Sequence, residues 1–520
     1  MNCMRKGMEK GITGLFTLLM LGILFIDIFC EHLSYCAKKE FLLPNCVFLL
    51  LAIIVVYGIH RLVNRFAGQI HISEKQCNKL IYIFTGVLFV LQVIITYEII
   101  FRTAWDAGIV TAQARLVAQG STDLWNEYFS ECTNNILITF FYSFFYRIAG
   151  FVGDDSFGVV LIAIFQCFLN AITGLLLYKI SKKIIGGKRY PVFIWIVYVL
   201  WVGLSPWFII PYSDSIGLIF PILLMWIYVS FDGSRKDIFR AVVFGMLSFL
   251  GYKIKPTAII IVIAICVILF MKVIEKKNVK QLFTRAGIVL VSFCIVAVLY
   301  QEINLPKIMG MQLDPEREYA FSHYVMVGLH EGTNGVYNSE DVEYSQSFDT
   351  NKERSEANWN KIKERLQEYG VEGTARHLLK KTLVNFNDGT FTWGWDGEFY
   401  AGVIEMPDHI LSPILRAFYY DEGAYHEVFW AIMQFLWMGI LLGNVLNGLA
   451  LFSKKEMSYF ELVLLLSVIG LTLFMTIFEA RQRYQYVYAP IYVLTAFMGY
   501  RQFLRCFGKG KKTSVIDDDK

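Results

Sequence analysis

The sequence predicts an all-α, polytopic membrane protein, and three observations support that prediction. Hydrophobic residues make up 56% of the 520 residues and charged residues only 18%, and the mean hydropathy is +0.49. A soluble domain carries about 25% charged residues. Apolar runs of about twenty residues recur along the chain, and each is long enough to cross the ~30 Å hydrocarbon core of a bilayer as a helix.

About twelve such runs are candidate membrane spans by length and apolar character. They are 11–30, 41–63, 80–101, 158–178, 190–210, 213–231, 240–253, 257–272, 286–302, 427–449, 459–478 and 488–504. The first run lacks a small-residue cleavage site and is too long for a signal-peptide core, so we interpret it as a retained anchor. The spans divide the chain into a hairpin at 1–79, a core at 80–302 with a loop at 102–157, a polar segment at 303–426 and a C-terminal part at 427–520.

The lysines and arginines predict which side of the membrane each connection faces. With the N-terminus in the cytoplasm, the cytoplasmic connections are basic, from Arg5 and Lys6 through KISKKIIGGKR to the C-terminal tail, as the positive-inside rule requires. Lys38 and Lys39 are exceptions, because they fall on the outer side. We therefore predict a multi-pass cell-membrane protein with both termini in the cytoplasm and with 102–157 and 303–426 outside.

Three stretches of these outer connections carry structural predictions. NNILITFFYSFFYRIAG is apolar, yet a span there would place KISKKIIGGKR outside, so over 135–150 we predict a helix that lies in the outer interface or dips in and returns. NKERSEANWNKIKERLQEYG predicts a solvated helix ended by Gly370. NDGTFTWGWDGEFY, rich in glycine and aromatic residues, predicts turns packed at a surface.

Residue patterns argue against several other classes of protein. The 10 cysteines form no CxxC or Cys/His metal spacing, so neither a disulfide framework nor a metal centre is expected. His323, His330 and His377 show no metal-ligand spacing either. The sequence contains no basic patch interleaved with aromatic residues, so nucleic-acid binding is not expected. No cofactor is evident, and the sequence leaves open whether a divalent cation takes part.

Asp106 is the first polar residue that could carry chemistry. It lies one short step past the third span, at the predicted outer surface. One interpretation is an N-cap of the amphipathic helix that Gly120 would end. The other is a general base that takes a proton from an acceptor hydroxyl as that acceptor attacks a lipid-linked sugar. The two roles do not exclude each other.

A pair of lysines flanks a predicted helix break. GYKIKPTA places Lys253 and Lys255 between two apolar runs, beside Pro256, where a helix cannot continue unbroken. Either these lysines snorkel to the interface, or they form a cationic seat for a lipid phosphate or pyrophosphate.

Two further motifs place charges at the same predicted face. FEARQRYQYVYAP contains Arg481, Arg483 and Tyr484 at the mouth of a late span. These are either an Arg–Glu pair within an aromatic belt or a site that binds an anion. Asp214 in PYSDS is either a helix cap or a second acid at the mouth.

These motifs resemble the GT-C superfamily of polyprenyl-phosphate-sugar-dependent glycosyltransferases. In that superfamily an outer Asp follows an early span, a membrane-hugging helical loop comes next, and a lysine near a broken helix and an Arg-Tyr element come later. Here these are WDAGIVTAQARLVAQG, KIKPTA and EARQRYQYVYAP. HYVMVGL, GVYNSEDVEYS and DGTFTWG resemble a Gram-positive group of integral membrane proteins related to protein mannosyltransferases and aminoarabinose transferases. The resemblance extends from about residue 80 onward.

The resemblance implies a GT-C-like fold and an inverting transfer of sugar from a polyprenyl-phosphate donor to an extracytoplasmic acceptor. That acceptor would be a cell-wall polymer, a glycolipid or a protein of the cell envelope. Asp106 would be the catalytic base. The residues that would bind substrate are Lys253, Lys255, Arg481, Arg483, Tyr484, Asp214 and Glu127.

Two departures and two rival functions accompany this interpretation. Many relatives carry an acidic pair in the first outer loop, so Glu127 or Glu131 would serve as the second acid, or none does. The typical soluble C-terminal domain is missing, and 303–426 would take over part of its work.

The main rival is a lipid-linked glycan flippase or other transporter, for which Asp27 within the first span is the relevant charge. The other is an inactive scaffold.

Overall fold

The computed structural model describes residues 2–33, 42–66, 72–276, 279–395, 399–400, 402–403, 409–452 and 457–508. In chain order the first eleven helices are α1 (Asn2–Phe29), α2 (Asn45–Phe66), α3 (Glu74–Ile99), α4 (Asp106–Gln119), α5 (Asn126–Glu131), α6 (Ile136–Phe151), α7 (Gly158–Ile184), α8 (Arg189–Tyr198), α9 (Ser213–Gly217), α10 (Ile219–Val229) and α11 (Lys236–Ile254). The others are α12 (Ile259–Ile274), α13 (Val279–Ile303), α14 (Leu305–Ile308), α15 (Phe321–Val327), α16 (Ser339–Gln346), α17 (Asn351–Phe386), α18 (Ser412–Tyr419), α19 (His426–Leu451), α20 (Tyr459–Ile477) and α21 (Ala489–Gly508).

Each of the twelve predicted spans overlaps a helix, which confirms an all-α polytopic membrane protein. Within the described residues, eight helices are long and apolar enough to cross a membrane. Shorter apolar helices cover Arg189–Gly203 and Ser213–Val229. Short strands β1 (Phe101–Arg102) and β2 (Gly402–Val403) pair antiparallel and join the end of α3 to a distant part of the chain.

The predicted span at 190–210 is too long. Helix α8 continues through a π-helical turn to Gly203, and the chain from 204 to 212 is then irregular, with a 3₁₀ turn at Pro206–Ile209. Proline lacks the N–H that a continuing helix needs. The apolar side chains of this stretch are buried against other parts of the protein, so apolar character alone misled the length estimate.

The long connections meet at one end of the bundle, where α3 stops and α7 starts. Here α4, α5 and α6 form the first connection, and α6 packs on α4 and α7. A helix at 135–150 is thus confirmed, with Phe144, Ile148 and Phe151 exposed. Its level in the bilayer remains a prediction.

In the polar segment, the predicted solvated helix is present as the first part of α17. It starts at a capping box of Thr350 and Glu353, and Gly370 leaves helical geometry with φ +56°. The chain then resumes as a helix to Phe386. A left-handed backbone favours glycine because it has no Cβ, which explains the break.

The turns predicted for NDGTFTWGWDGEFY are present over 387–395, but the predicted surface location is wrong; residues 396–398 lie outside the described residues. Residues 385–394, called the buried segment below, pass inside the helix bundle. Irregular buried backbone needs hydrogen-bond partners, and indole N–H groups supply several of them. Trp437 donates to Phe386 O (2.6 Å), Trp201 to Gly389 O (2.9 Å) and Trp207 to Thr390 O (3.0 Å), and Trp430 donates to the side chain of Asp388 at Oδ1 (2.6 Å).

Candidate functional site

Asp106 is the first residue of α4, and two tyrosines hold its carboxylate. Oδ1 accepts a hydrogen bond from Tyr128 at 2.8 Å, and Oδ2 accepts one from Tyr212 at 3.0 Å. The N-cap interpretation is wrong, because the N-cap position belongs to Trp105, which makes no side-chain capping bond. Gly120 ends α4 with φ +70°, as predicted.

The tyrosines leave Asp106 with spare acceptor capacity. Burial raises the pKa of Tyr128 and of Tyr212 well above the usual value, and the negative charge of Asp106 raises both further. Both hydroxyls therefore stay protonated and keep donating. An ionised carboxylate offers about four lone-pair sites, so two donated bonds orient Asp106 without saturating it. A further hydroxyl can still donate to it.

A buried ion cluster lies next to this carboxylate. Lys255 Nζ is 2.5 Å from Asp214 Oδ1, and Arg483 Nε is 3.8 Å from Asp214 Oδ2. Asp214 is fully buried, and Lys255 and Arg483 are each only 6% exposed. The cap interpretation of Asp214 is wrong, because Tyr212 occupies the N-cap position of α9. Snorkelling is wrong for Lys255, whose side chain turns into the protein.

One ring, that of Tyr212, joins the acid to the cations. Arg483 Cζ lies 5.5 Å from its centroid and Lys255 Nζ lies 6.0 Å from it. Arg483 also lies 4.3 Å from the indole ring of Trp105, the neighbour of Asp106. A single bound molecule can therefore reach both the acid and the cations. We call this group the Tyr212 cluster: Trp105, Asp106, Tyr128, Tyr212, Asp214, Lys255, Arg483 and Tyr484.

The structure separates the two lysines of GYKIKPTA. Helix α11 ends at Ile254, and Lys255 is extended with φ −143° before the 3₁₀ turn at Pro256–Ala258; the predicted break is thus confirmed. Helical geometry is disfavoured at the residue before a proline, which explains the extended backbone of Lys255. Lys255 Nζ lies 4.5 Å from the Tyr484 ring, inside the cluster. Lys253 Nζ instead lies 5.0 Å from the Tyr300 ring, on α13.

Two other predicted substrate-binding residues make contacts of their own. Arg481 pairs with Glu479 at 3.0 Å, which is the Arg–Glu pair that the sequence left open. Glu127 is exposed and pairs with Arg317 at 3.0 Å, and Glu131 pairs with the same arginine at 2.8 Å. These two glutamates tie α5 to the polar segment, whereas Tyr128 on the same short helix contacts Asp106.

The buried segment holds the element that carries Arg483 and Tyr484. That element is the 3₁₀ helix Gln482–Tyr488. Residues three apart share a face of a 3₁₀ helix, and Gln482 and Gln485 donate to the carbonyl oxygens of Asp388 and Asn385. Arg483 and Tyr484 lie between these two anchors. The direction in which Arg483 points therefore depends on the buried segment.

The polar segment also docks directly before this 3₁₀ helix. Ala480 N donates to Gly335 O at 2.7 Å, and the rings of Phe321 and Phe478 lie 4.6 Å apart. Lys381 Nζ donates to Gly328 O at 2.7 Å, and a Cβ on Gly328 would lie 2.6 Å from Phe478 O. This close approach explains the glycine and places residues 321–336 beside the cluster.

Sequence reasoning missed three aromatic members of the cluster. Trp105 and Tyr212 stand beside the acids that drew attention, so proximity in sequence was a usable signal. Tyr128 directly follows Glu127, which the sequence analysis also singled out, so the same signal applied to it. Within the described ranges, no group of three or more His, Cys, Asp or Glu side chains is placed to hold a metal ion.

One comparison with known proteins gives a match. The family model described as "conserved hypothetical integral membrane protein" matches residues 4–503. Neither the curated proteins nor the solved structures give a match to the chain. The family match covers nearly the whole chain, so it agrees with a single membrane protein that includes the polar segment.

Proposed function

The chain belongs to this family of integral membrane proteins, and from that premise we propose a glycosyltransferase that moves a sugar from a polyprenyl-phosphate carrier to an extracytoplasmic acceptor. One observation carries the proposal: Asp106 on one side and Lys255 with Arg483 on the other contact the same ring, Tyr212. A transferase with a lipid-phosphate donor needs a base for the acceptor and cations for the leaving phosphate.

In this proposal Lys255 and Arg483 bind the donor phosphate. As the bond between the anomeric carbon and the phosphate oxygen breaks, negative charge grows on that oxygen. Cations held in a water-poor site stabilise such charge more than they would in bulk water. Asp214 holds both cations in place, and it would share them with the incoming phosphate. The half-buried Tyr484, beside Lys255, would line the donor pocket.

Asp106 is the proposed general base. The acceptor hydroxyl oxygen attacks the anomeric carbon from the face opposite the phosphate, its proton passes to Asp106, and polyprenyl phosphate leaves. One displacement inverts the anomeric configuration. General-base assistance is typically worth about 10²–10⁴-fold in rate. The acceptor class would be a wall polymer, a glycolipid or a protein outside the cytoplasm.

The test uses the purified full-length protein in lipid nanodiscs. A panel of polyprenyl-phosphate sugars is supplied with cell-envelope acceptors, and release of polyprenyl phosphate is measured. Binding of polyprenyl phosphate is measured separately. We expect Asp106→Asn to slow transfer by about 100-fold or more while binding stays within about twofold. We expect Lys255→Gln to weaken binding by about tenfold or more.

Lys253→Gln is the matched control, because it removes the same charge two residues away and outside the cluster. It should behave as the wild type in both assays. Full transfer by Asp106→Asn would remove Asp106 from the mechanism. Equal effects of the two lysine variants would remove the cluster from donor binding.

A transporter is the second candidate, and one observation favours it. Asp27 is fully buried within α1, and neither oxygen of its carboxylate receives a hydrogen bond from the described residues. Buried acids within spans often mark proton or ion pathways. The test uses the protein in sealed vesicles. Movement of an intact sugar-lipid across the vesicle membrane, without release of polyprenyl phosphate, would support a transporter. Loss of that movement in Asp27→Asn would assign a role in transport to Asp27.

A further inference from the structure

A cleft of about 720 Å³ lies at the end of the bundle opposite the Tyr212 cluster. Helices α11 and α13 pack side by side, and the cleft lies between their first turns. Helix α11 spans the distance between the two features, because it starts at the cleft and ends beside Lys255. The Lys and Arg distribution predicts that the cleft faces the cytoplasm.

The cleft is strongly cationic. Arg235, Lys276, Lys280 and Arg285 line it, with Asp237 as the one carboxylate among its lining residues. Asp237 is buried, and it already pairs with Arg285 and, at 2.7 Å, with Arg240. Arg235, Lys276 and Lys280 have no acidic partner among the residues that the structure describes. Three exposed cations therefore converge on one cleft without a counter-ion.

An apolar surface adjoins these cations. Ile238 and Ile288 line the cleft, and Ile238 is 59% exposed. Helix α13 is a candidate membrane span, and almost none of its apolar stretch is buried inside the protein. The cleft thus lies at the first turn of a largely exposed apolar helix, at the level where lipid phosphates meet the hydrocarbon core.

We infer that this cleft binds an anionic phospholipid, with the phosphate on Arg235, Lys276 and Lys280 and an acyl chain along Ile238 and Ile288. A free phosphate ion would use the cations and leave the apolar rim unused. Basic pockets between membrane helices on the cytoplasmic side suit such headgroups. The assignment is independent of glycosyl transfer, since it uses none of the residues of the Tyr212 cluster.

Native mass spectrometry of the full chain tests this inference. The detergent-solubilised protein is titrated with phosphatidylglycerol, with phosphatidylcholine, and with phosphatidylglycerol plus inorganic phosphate. We expect at least about tenfold preference for phosphatidylglycerol over phosphatidylcholine. We expect that preference to fall at least about tenfold in Arg235→Gln/Lys276→Gln/Lys280→Gln. The single variant Lys280→Gln, at an exposed side chain, gives a smaller loss and serves if the triple variant is unstable.

The matched control is Lys6→Gln/Lys75→Gln/Lys79→Gln, which removes three exposed cations at the same end but outside the cleft. It should keep the preference within about twofold. Equal loss in both triple variants would overturn the inference in favour of a diffuse basic surface. Displacement of the lipid by equimolar inorganic phosphate would overturn it in favour of a free-anion site, and no preference in the wild type would overturn it outright.

Discussion

At the scale of single residues, Asp214 is the most informative side chain of the Tyr212 cluster. It is fully buried, and both of its ionic partners are nearly so. Removing one member of a buried ion pair leaves an uncompensated charge. In the proposed function, Asp214 holds Lys255 and Arg483 in place and would compete with the donor phosphate for them.

We expect Asp214→Asn to destabilise the ligand-free protein by about 3–5 kcal/mol. Polyprenyl phosphate should then raise the melting temperature more in this variant than in the wild type, because the ligand replaces the missing anion. Thermal unfolding in detergent, with and without polyprenyl phosphate, measures both effects.

Asp341→Asn is the matched control for that experiment. Asp341 is buried and pairs with Arg365 at 2.5 Å, within the polar segment and outside the cluster. It should lose stability without gaining any extra response to the ligand. An equal ligand response in Asp214→Asn and the wild type would contradict the role given to Asp214.

At the scale of elements, the buried segment decides the geometry of the site. Its carbonyl oxygens accept hydrogen bonds from indoles on the π-helical turn after α8, on α19 and on the stretch at 204–212, and from both glutamines of the 3₁₀ helix that carries Arg483. Gly389 lies at its tightest point, where a Cβ would stand 2.2 Å from Met433 O. A side chain there requires the backbone of α19 or of the buried segment to move.

We expect Gly389→Ala to destabilise the protein by about 1–3 kcal/mol or more, as overpacking does, and to weaken binding of polyprenyl phosphate through displaced anchors of the 3₁₀ helix. Gly287→Ala on α13 is the control, because a Cβ there meets nothing within 4 Å. It should be neutral or stabilising by up to about 1 kcal/mol. Melting temperature and ligand binding of both variants check the expectation, and similar values for the two would contradict it.

At the scale of the whole molecule, the polar segment is joined to the first connection and to the cluster. Arg317 links it to Glu127 and Glu131, and Ala480 links it to the last loop. His323 lies within this segment: its ring stacks 4.1 Å from Tyr319 and its Nδ1 is 2.7 Å from Ser345 Oγ. The docked arrangement therefore encloses an ionisable group.

The pKa of His323 is lowered to about 4, mainly because the ring is buried; the negative charge of Asp341 opposes this shift and the positive charge of Arg354 adds to it. The folded protein thus binds fewer protons than the unfolded chain between pH 6.5 and pH 4, and stability falls as the pH falls through that window. Relative to His323→Gln, the wild type should lose up to about 3 kcal/mol there. Melting temperatures from pH 7 to pH 4 measure the difference.

His330→Gln is the control for the pH experiment. His330 is half-buried in the same segment, 3.5 Å from Glu340. This variant leaves the surroundings of His323 unchanged, so the loss of stability that His323 causes between pH 6.5 and pH 4 should persist. A His323→Gln profile that runs parallel to the wild type would show that His323 does not contribute to acid sensitivity.

The sequence by itself determined where most of the apolar helices lie and where several helices break. Bilayer thickness fixes the length of an apolar helix, and Gly120, Gly370 and Pro256 interrupt helices through their own backbone chemistry. Only the tertiary structure decided that Lys255 rather than Lys253 meets Asp214, that Tyr128 and Tyr212 hold Asp106, and that 385–394 is buried. Hydrophobic pattern says which residues leave water, but the partner of a buried charge or carbonyl comes from distant parts of the chain that pack against it.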